Sequence, residues 1–136
     1  VCAGIGRGQM LSLPSFLEKR RGIHEEYRRR LSGVPGLSLL ENPDSRYHSN
    51  HWLTCVQVNP EEARFDRETL RLAPQKAGVE SRPLWKPMHL QPVFRSCPFY
   101  GSGVSDRLFE QGLCLPSGAS LAGEDVDRII DVLLNL

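Results

Sequence analysis

His51-Trp52-Leu53-Thr54-Cys55-Val56-Gln57-Val58 is the stretch of this sequence that decides the fold. β-Branched and aromatic side chains are enriched along it, and Asn59-Pro60 follows as a stop, which predicts a β-strand over residues 51–58. Successive side chains of a strand point to opposite faces. One face of this strand would carry Trp52, Thr54, Val56 and Val58, and the other Leu53, Cys55 and Gln57.

A long helix is predicted ahead of this strand, over residues 2–31. Its apolar residues recur at roughly helical spacing, and they are Ile5, Met10, Leu13, Leu17, Ile23, Tyr27 and Leu31. Gly4, Gly6 and Gly8 are each about 1 kcal/mol less favourable than alanine inside a helix. Glycines that alternate in this way indicate close approach of another backbone or a ligand. Pro14 predicts a kink or a break.

Further strands and helices are predicted along the rest of the chain. The strands cover residues 37–40, 79–82 and 113–115. The helices run from near Asp66 to Gly78, from Ser105 to Gly112, and from about Gly123 to Leu136. Asp66 and Ser105 are the expected N-caps. Pro74 is expected to shorten the first of these helices.

The last predicted helix has a clear apolar face, made of Val126, Ile129, Ile130, Leu133 and Leu134. The complete order is helix, strand, strand, helix, strand, helix, strand, helix. This order predicts a two-layer α/β sandwich, in which helices cover one face of a mainly antiparallel sheet. With 136 residues, the chain is expected to form a single domain over residues 1–136.

Composition excludes several classes of function. The formal net charge is +1, from 17 basic and 16 acidic residues, so no basic excess indicates nucleic acid or an anionic membrane as a partner. The arginine-rich run of residues 19–30 is interrupted by glutamates and is predicted to be a solvated helix face. No apolar run approaches transmembrane length, and no signal peptide is visible.

The cysteines and histidines lack the spacing of a metal site or a disulfide framework. The four cysteines are scattered as Cys2, Cys55, Cys97 and Cys114, and the four histidines as His24, His48, His51 and His89. Free thiols among apolar residues are typical of a reducing compartment, so we expect a cytoplasmic protein without a metal centre.

Residues 80–92, Glu-Ser-Arg-Pro-Leu-Trp-Lys-Pro-Met-His-Leu-Gln-Pro, form the candidate recognition segment. Three prolines in thirteen residues predict an extended, semi-rigid loop rather than a helix or a sheet interior. Loops that display large polar and aromatic side chains often bind ligands. Alternatively the loop is structural, and Trp85 and Leu90 fill the core.

Four ordered segments resemble the DegT family of pyridoxal phosphate-dependent sugar-nucleotide aminotransferases. They are residues 1–10 (VCAGIGRGQM), 50–55 (NHWLTC), 80–92 (ESRPLWKPMHLQP) and 108–118 (LFEQGLCLPSG). The resemblance covers essentially the whole chain. It implies the fold of the small C-terminal domain of fold-type I pyridoxal phosphate enzymes, with residues 1–31 as a helix that bridges to the large domain near a dimer interface. The chain is then expected to be a piece of a longer, homodimeric protein.

The resemblance implies amination of a nucleotide-linked keto-sugar, with glutamate as the expected donor, for polysaccharide, lipopolysaccharide or other glycan biosynthesis. Transamination needs a lysine that bonds to the cofactor, and in the family this lysine belongs to the large domain. None of Lys19, Lys76 and Lys86 has that setting, so we expect no catalytic residue in this chain. We interpret Lys86 as a loop or ligand contact.

In relatives the segment that matches residues 85–91 borders the substrate. This implies a substrate-binding role for His89, with Trp85, Lys86, Met88 and Gln91 beside it. An imidazole can bind a hydroxyl or a phosphate oxygen, and an indole can stack on a flat ring. His89 could instead bond to a local carbonyl. Arg82 could pair with a phosphate, or equally hold the loop in place.

Two questions stay open at the C-terminal end of the sequence. Cys114 alternates with leucines and is expected in the core rather than as a nucleophile. The turn of residues 117–120 could approach the substrate or cap the last helix, where Ala122-Gly123 replaces the usual cap, so that Ser120 or Glu124-Asp125 must compensate. A different class of function is a stand-alone α/β interaction module, with Trp85 and Arg82 as anchors for a protein partner.

Overall fold

The order of helices and strands follows the predicted pattern. The computed structural model describes residues 1–136. Its elements are α1 (Cys2–Leu31), β1 (Leu37–Leu39), β2 (Thr54–Val58), α2 (Arg67–Lys76), β3 (Arg82–Pro83), α3 (Val104–Gln111), β4 (Gly112–Leu115) and α4 (Gly123–Leu134). The four strands form one sheet in the order β1-β2-β4-β3, and every neighbouring pair is antiparallel. The predicted α/β fold class with an antiparallel sheet is confirmed.

The core lies between the inner face of the sheet and three helices. Along β2 the side chains of Thr54, Val56 and Val58 are buried, while those between them are only half-buried. This confirms the alternation expected for the strand. The helices α1, α2 and α4 contribute the other half of the core, with Ile23, Tyr27, Leu31, Leu70, Val126, Ile129, Ile130 and Leu133.

Only the second half of α1 packs on this core. Tyr27 and Leu31 are fully buried, whereas every residue from 1 to 16 is exposed. The helix runs through Pro14 without ending. Arg30 fixes the packed half to α4, since its guanidinium lies 2.5 Å from the Asp127 carboxylate and 2.6 Å from that of Asp131.

Helix capping follows the sequence in α2 and α4. The carboxylate of Asp66 accepts a hydrogen bond of 2.7 Å from the backbone N–H of Thr69, as predicted for an N-cap. At α4 the Asp125 carboxylate accepts a 2.9 Å bond from the backbone N–H of Ala122. Asp125 therefore compensates for the missing Ser or Thr cap.

The strand boundaries require two corrections. β2 begins at Thr54 rather than at His51, because His51 has a φ of 44° and interrupts the extended backbone. Trp52 is consequently exposed and does not share the buried face of the strand. β3 holds only Arg82 and Pro83, since the N–H of Val79 still bonds to the carbonyl of Pro74 at the end of α2.

The helix boundaries require corrections as well. Pro74 is buried inside α2, and the helix continues past it to Lys76. α3 begins at Val104 after Gly103, whose φ of 75° suits a glycine, so Ser105 lies in the first turn instead of at the cap. α4 ends at Leu134, whose side chain faces solvent rather than the core.

Candidate functional site

A cleft of about 670 Å³ opens beside β3. Its walls come from residues 78–83, from the end of β4 and the turn after it, and from one side of α4. Because β3 is only two residues long, the sheet ends early here and leaves this space uncovered. The cleft is of the size that small-molecule sites in proteins have.

Two tryptophans form the mouth of this cleft. The ring centroids of Trp52 and Trp85 are 6.2 Å apart with an angle of 37° between the rings. The exposed fractions of the two residues are 59% and 67%. Neither indole fills the core, so the structural alternative for Trp85 is wrong. Large exposed aromatic faces of this kind stack on planar bases and sugar rings.

Arg82 lies on the same wall with its guanidinium free to rearrange. It donates a 2.8 Å bond to the Glu80 carboxylate, and both side chains are about three-quarters exposed. An exposed pair of this kind contributes about 0–1 kcal/mol, so an incoming anion can replace Glu80 at little cost. Arg82 is therefore available for a phosphate, and nothing else holds its guanidinium in place.

The rest of residues 80–92 is not extended throughout. Met88–Leu90 and Pro92–Phe94 form single turns of 3₁₀ helix. The side-chain amide of Gln91 donates a 3.3 Å bond to the carbonyl of Lys86 and lies 3.5 Å from the sulfur of Met88. These contacts fold the loop on itself, and they correct the prediction of an extended segment.

His89 is mostly enclosed by local partners. Its ring stacks on Phe99 with 3.6 Å between centroids, and its Nε2 lies 2.7 Å from a carboxylate oxygen of Asp106. The angles at that close contact do not suit a hydrogen bond. Both atoms are therefore buried without a hydrogen-bond partner.

Only some of the predicted substrate-binding residues line the cleft. Arg82 and Trp85 line it, whereas Lys86, Met88, His89 and Gln91 do not. Lys86 and Met88 are exposed on the loop. The substrate-binding role of these six residues stays a prediction. Trp52 was missed as a surface residue, because the alternation of residues 51–58 placed it with the buried face.

A network of buried hydrogen bonds supports the floor of the cleft. The hydroxyl of Ser117 accepts a 2.8 Å bond from the N–H of Thr54 and donates a 2.9 Å bond to the carbonyl of Leu115. The Tyr27 hydroxyl donates to the carbonyl of Pro116 at 2.9 Å. Ser117 thus ties the end of β4 to β2, and it neither caps α4 nor faces the solvent.

A second polar cluster lies between α1 and the segment before β2. The rings of His24 and His51 stack with 3.6 Å between centroids. His24 contacts the hydroxyl of Thr54 at 3.4 Å and the carboxylate of Glu41 at 3.5 Å. Burial, and then the nearby His24, lower the pKa of His51. Sequence periodicity did not indicate this cluster, because His24 lies 17 residues from Glu41 and 30 residues from Thr54.

The three lysines of the chain lie on its surface. Lys19, Lys76 and Lys86 are all exposed, and none of them lines the cleft. No group of three or more histidine, cysteine, aspartate or glutamate side chains is placed to hold a metal ion. The residues present therefore do not fit a cofactor that must be bonded covalently to a buried lysine. None of the helices is both long and apolar enough to cross a membrane.

The architecture is that of one domain of the pyridoxal phosphate-dependent aminotransferases. The structure superimposes on DesV of S. venezuelae with a TM-score of 0.84 at 26% identity, covering 98% of this chain and 35% of that one. It superimposes on the aminotransferase TlmJ of Streptoalloteichus hindustanus with a TM-score of 0.83 at 28% identity, covering 96% and 34%.

The family model of the DegT/DnrJ/EryC1/StrS aminotransferases matches residues 1–134, and the chain belongs to this family. It is 36% identical over 140 residues to EpsN of Bacillus subtilis (strain 168), which is provisionally named a pyridoxal phosphate-dependent aminotransferase. It is 27% identical over 136 residues to the GDP-perosamine synthase of Vibrio cholerae. The chain spans about a third of the length of these relatives, 35% and 36%.

Proposed function

We propose that this chain is the C-terminal part of a longer pyridoxal phosphate-dependent aminotransferase that aminates a nucleotide-linked keto-sugar. The observation that carries the proposal is the family match over residues 1–134. Relatives named GDP-perosamine synthase and dTDP-4-dehydro-2,3,6-trideoxy-D-glucose 4-aminotransferase support a nucleotide-linked sugar as the substrate class. The lysine that holds the cofactor belongs, in this proposal, to the part of the protein outside the chain.

The chain itself supplies one wall of the substrate site. Trp85 offers an aromatic face to a base or a sugar ring, and Arg82 offers a guanidinium to the diphosphate. His89 contacts a substrate hydroxyl or phosphate oxygen once its ring has turned away from Asp106, against which its Nε2 is buried. Lys86, Met88 and Gln91 complete the edge of the loop.

We further propose that glutamate is the amino donor and that the enzyme acts as a cytoplasmic homodimer. Its product would enter the synthesis of a cell-surface polysaccharide, a lipopolysaccharide or another glycan. The exposed half of α1 supports an assembly larger than this chain, because contiguous exposed apolar side chains mark interaction surfaces.

Replacement of His89 tests the substrate role. In the full-length enzyme, His89→Ala should weaken binding of the keto-sugar nucleotide by roughly ten- to a hundredfold, because loss of a hydrogen bond to a charged ligand costs about 1.5–3 kcal/mol. The half-reaction with glutamate should change little, since the sugar takes no part in it. Stopped-flow absorbance of the cofactor measures the two half-reactions separately.

The matched control for that experiment is His48→Ala, which removes an exposed histidine far from the loop in sequence. It should leave both half-reactions unchanged. If His89→Ala impairs the glutamate half-reaction and spares the sugar half-reaction, His89 serves the cofactor and the assignment of this loop is wrong. Equal loss in both would indicate a general structural defect, which circular dichroism would reveal.

A labelling experiment tests the prediction that this chain holds no cofactor lysine. The 136-residue chain, incubated with pyridoxal phosphate and reduced with borohydride, should show only slow and comparable labelling of its exposed lysines, Lys19, Lys76 and Lys86, and no aminotransferase activity. Peptide mapping by mass spectrometry measures the labelling. A single stoichiometric adduct on Lys86, with turnover of glutamate, would contradict the prediction.

A further inference from the structure

Two cysteines face each other across the two central strands. Cys55 of β2 and Cys114 of β4 are direct partners in the antiparallel register. Their sulfur atoms lie 3.8 Å apart. The other two cysteines, Cys2 and Cys97, are exposed and free. The central pair is therefore prearranged by the sheet itself.

The backbone hydrogen bonds show which kind of cross-strand pair this is. The carbonyl of Cys55 accepts a 2.9 Å bond from the N–H of Leu40, so the backbone groups of Cys55 point toward β1 and away from β4. The carbonyl of Gly112 accepts a 3.2 Å bond from Leu84, so Gly112 points toward β3. Cys114 is two residues further along β4, so its backbone groups also point toward β3 and away from β2.

Cys55 and Cys114 thus form a non-hydrogen-bonded pair. In such pairs the Cα atoms are about 4.5 Å apart, and the side chains are closer than in the alternative pair. Disulfides bridge Cα separations of about 4.4–6.8 Å. The sulfur atoms need to approach by less than 2 Å, from 3.8 Å to the bonded distance of about 2.05 Å.

The pair is also chemically asymmetric and open to small reagents. Cys55 is half-buried, and Cys114 is buried but lines the cleft beside β3, through which a small reagent can reach it. One thiol hydrogen-bonds to the sulfur of the other. This contact lowers the pKa of Cys114, and the same contact and then burial raise the pKa of Cys55. Cys114 is therefore the thiol that ionises first, and the thiolate is the reactive form.

We propose that Cys55 and Cys114 form a reversible redox site that a hydroperoxide converts to a disulfide. The Cys114 thiolate attacks the outer peroxide oxygen and becomes a sulfenic acid, while the O–O bond breaks and the rest of the peroxide leaves, as hydroxide from hydrogen peroxide or as an alkoxide from an organic hydroperoxide. The Cys55 thiol then attacks the Cys114 sulfur, the S–O bond breaks, and water leaves with the thiol proton. Two electrons pass from the two sulfurs to the peroxide. A dithiol reductant returns the pair to thiols by exchange.

The disulfide would join β2 to β4 across 59 residues of sequence. Cys114 also lies opposite Arg82 of β3, so oxidation acts on the strand that borders the cleft wall. This inference does not depend on the proposed aminotransferase activity. It concerns only the geometry of the two central strands.

The experiment uses the reduced full-length protein, treated with a small molar excess of hydrogen peroxide and then with N-ethylmaleimide. We expect non-reducing peptide mapping to show Cys55 linked to Cys114 as the main disulfide, and dithiothreitol to remove it. The unfolding temperature of the oxidised protein should rise by several degrees, because the link restricts the unfolded chain. In Cys55→Ser, oxidation should stop at a Cys114 sulfenic acid that dimedone traps.

Cys97→Ser is the matched control, since it removes an exposed thiol and should leave the Cys55–Cys114 link unchanged. Circular dichroism verifies that Cys55→Ser is folded, and the half-buried position of Cys55 makes it the milder of the two substitutions. The proposal is overturned if the wild-type protein yields no Cys55–Cys114 peptide at peroxide levels that oxidise Cys2 or Cys97. It is equally overturned if Cys55→Ser gives no dimedone adduct on Cys114.

Discussion

His51 shows how one residue can set the position of a candidate site. Its φ of 44° lies in the left-handed region, which is uncommon for residues other than glycine, although asparagine, aspartate and histidine adopt it more often than the rest. The turn that results directs the chain into β2 and leaves Trp52 in solvent beside Trp85. The stack of His51 on His24 holds this turn against α1. Protonation of His51 would therefore act on the mouth of the cleft.

We predict that acid loosens this turn through His51. Burial and His24 lower its pKa below the ordinary 6.5, with Arg21 acting in the same sense and Glu41 and Glu25 opposing it. A histidine with a lowered folded pKa binds protons more readily when unfolded. Its stabilising contribution is complete above pH 6.5 and is lost as the pH falls from there through the lowered pKa.

The test is His51→Asn, which removes the titrating ring and keeps a side chain that tolerates positive φ. The variant should lose less of its unfolding temperature between pH 7.5 and pH 5.0 than the wild-type chain does. His48→Asn, at an exposed position, should behave as the wild type. Identical pH profiles for His51→Asn and wild type would show that the stack carries no pH dependence.

At the scale of elements, α1 consists of two halves with different surroundings. Its second half buries Ile23, Tyr27 and Leu31, while residues 2–16 of its first half are all exposed. A Cβ added at Gly6 would meet no atom within 4 Å, and the same is true of Gly22 in the packed half. No packing contact within this chain therefore requires the glycines of the first half.

We predict that Gly6→Ala has opposite effects in the chain and in the full-length protein. In the 136-residue chain it should stabilise the helix by about 1 kcal/mol, as should Gly22→Ala. In the full-length protein Gly6→Ala should lower the unfolding temperature, because the alternating glycines allow close approach of another backbone. Gly22→Ala should keep its stabilising effect there. Stabilisation by both variants in both proteins would remove the packing explanation for Gly6.

Helices and strands that are specified by neighbouring residues could be predicted from the sequence. The cap at Asp66, the alternation in β2 and the apolar face of α4 each depend on residues within one or two turns, and the structure confirms them except at Trp52 and Leu134. The contact of His89 with Asp106 joins residues 17 positions apart, and sequence periodicity cannot predict a contact at that separation. The folded-back form of residues 80–92 depends likewise on contacts that Gln91 makes only in the folded loop.

For the whole molecule, the main consequence of this architecture is an uncovered apolar surface. The sheet and three helices bury one another's apolar residues, but the side chains of Ile5, Met10, Leu11, Leu13 and Phe16 stay 40% to 86% exposed. At 1.5 Å per residue the exposed half of α1 extends about 24 Å from the core. Exposed apolar patches of this extent mark sites of association with other protein surfaces.

We predict that the 136-residue chain self-associates through this half of α1. Leu13→Gln with Phe16→Gln should shift the chain toward the monomer, because both changes remove apolar surface from the association face without touching the core. Sedimentation velocity over a tenfold or larger range of concentration measures the shift. Leu72→Gln is the matched control, since Leu72 on α2 has the same exposed fraction as Leu13, 40%, and lies outside this surface. The control should associate as the wild type does. A wild-type chain that sediments as a monomer at all concentrations, with residues 1–16 helical and protected from proteolysis, would show that this helix needs no partner.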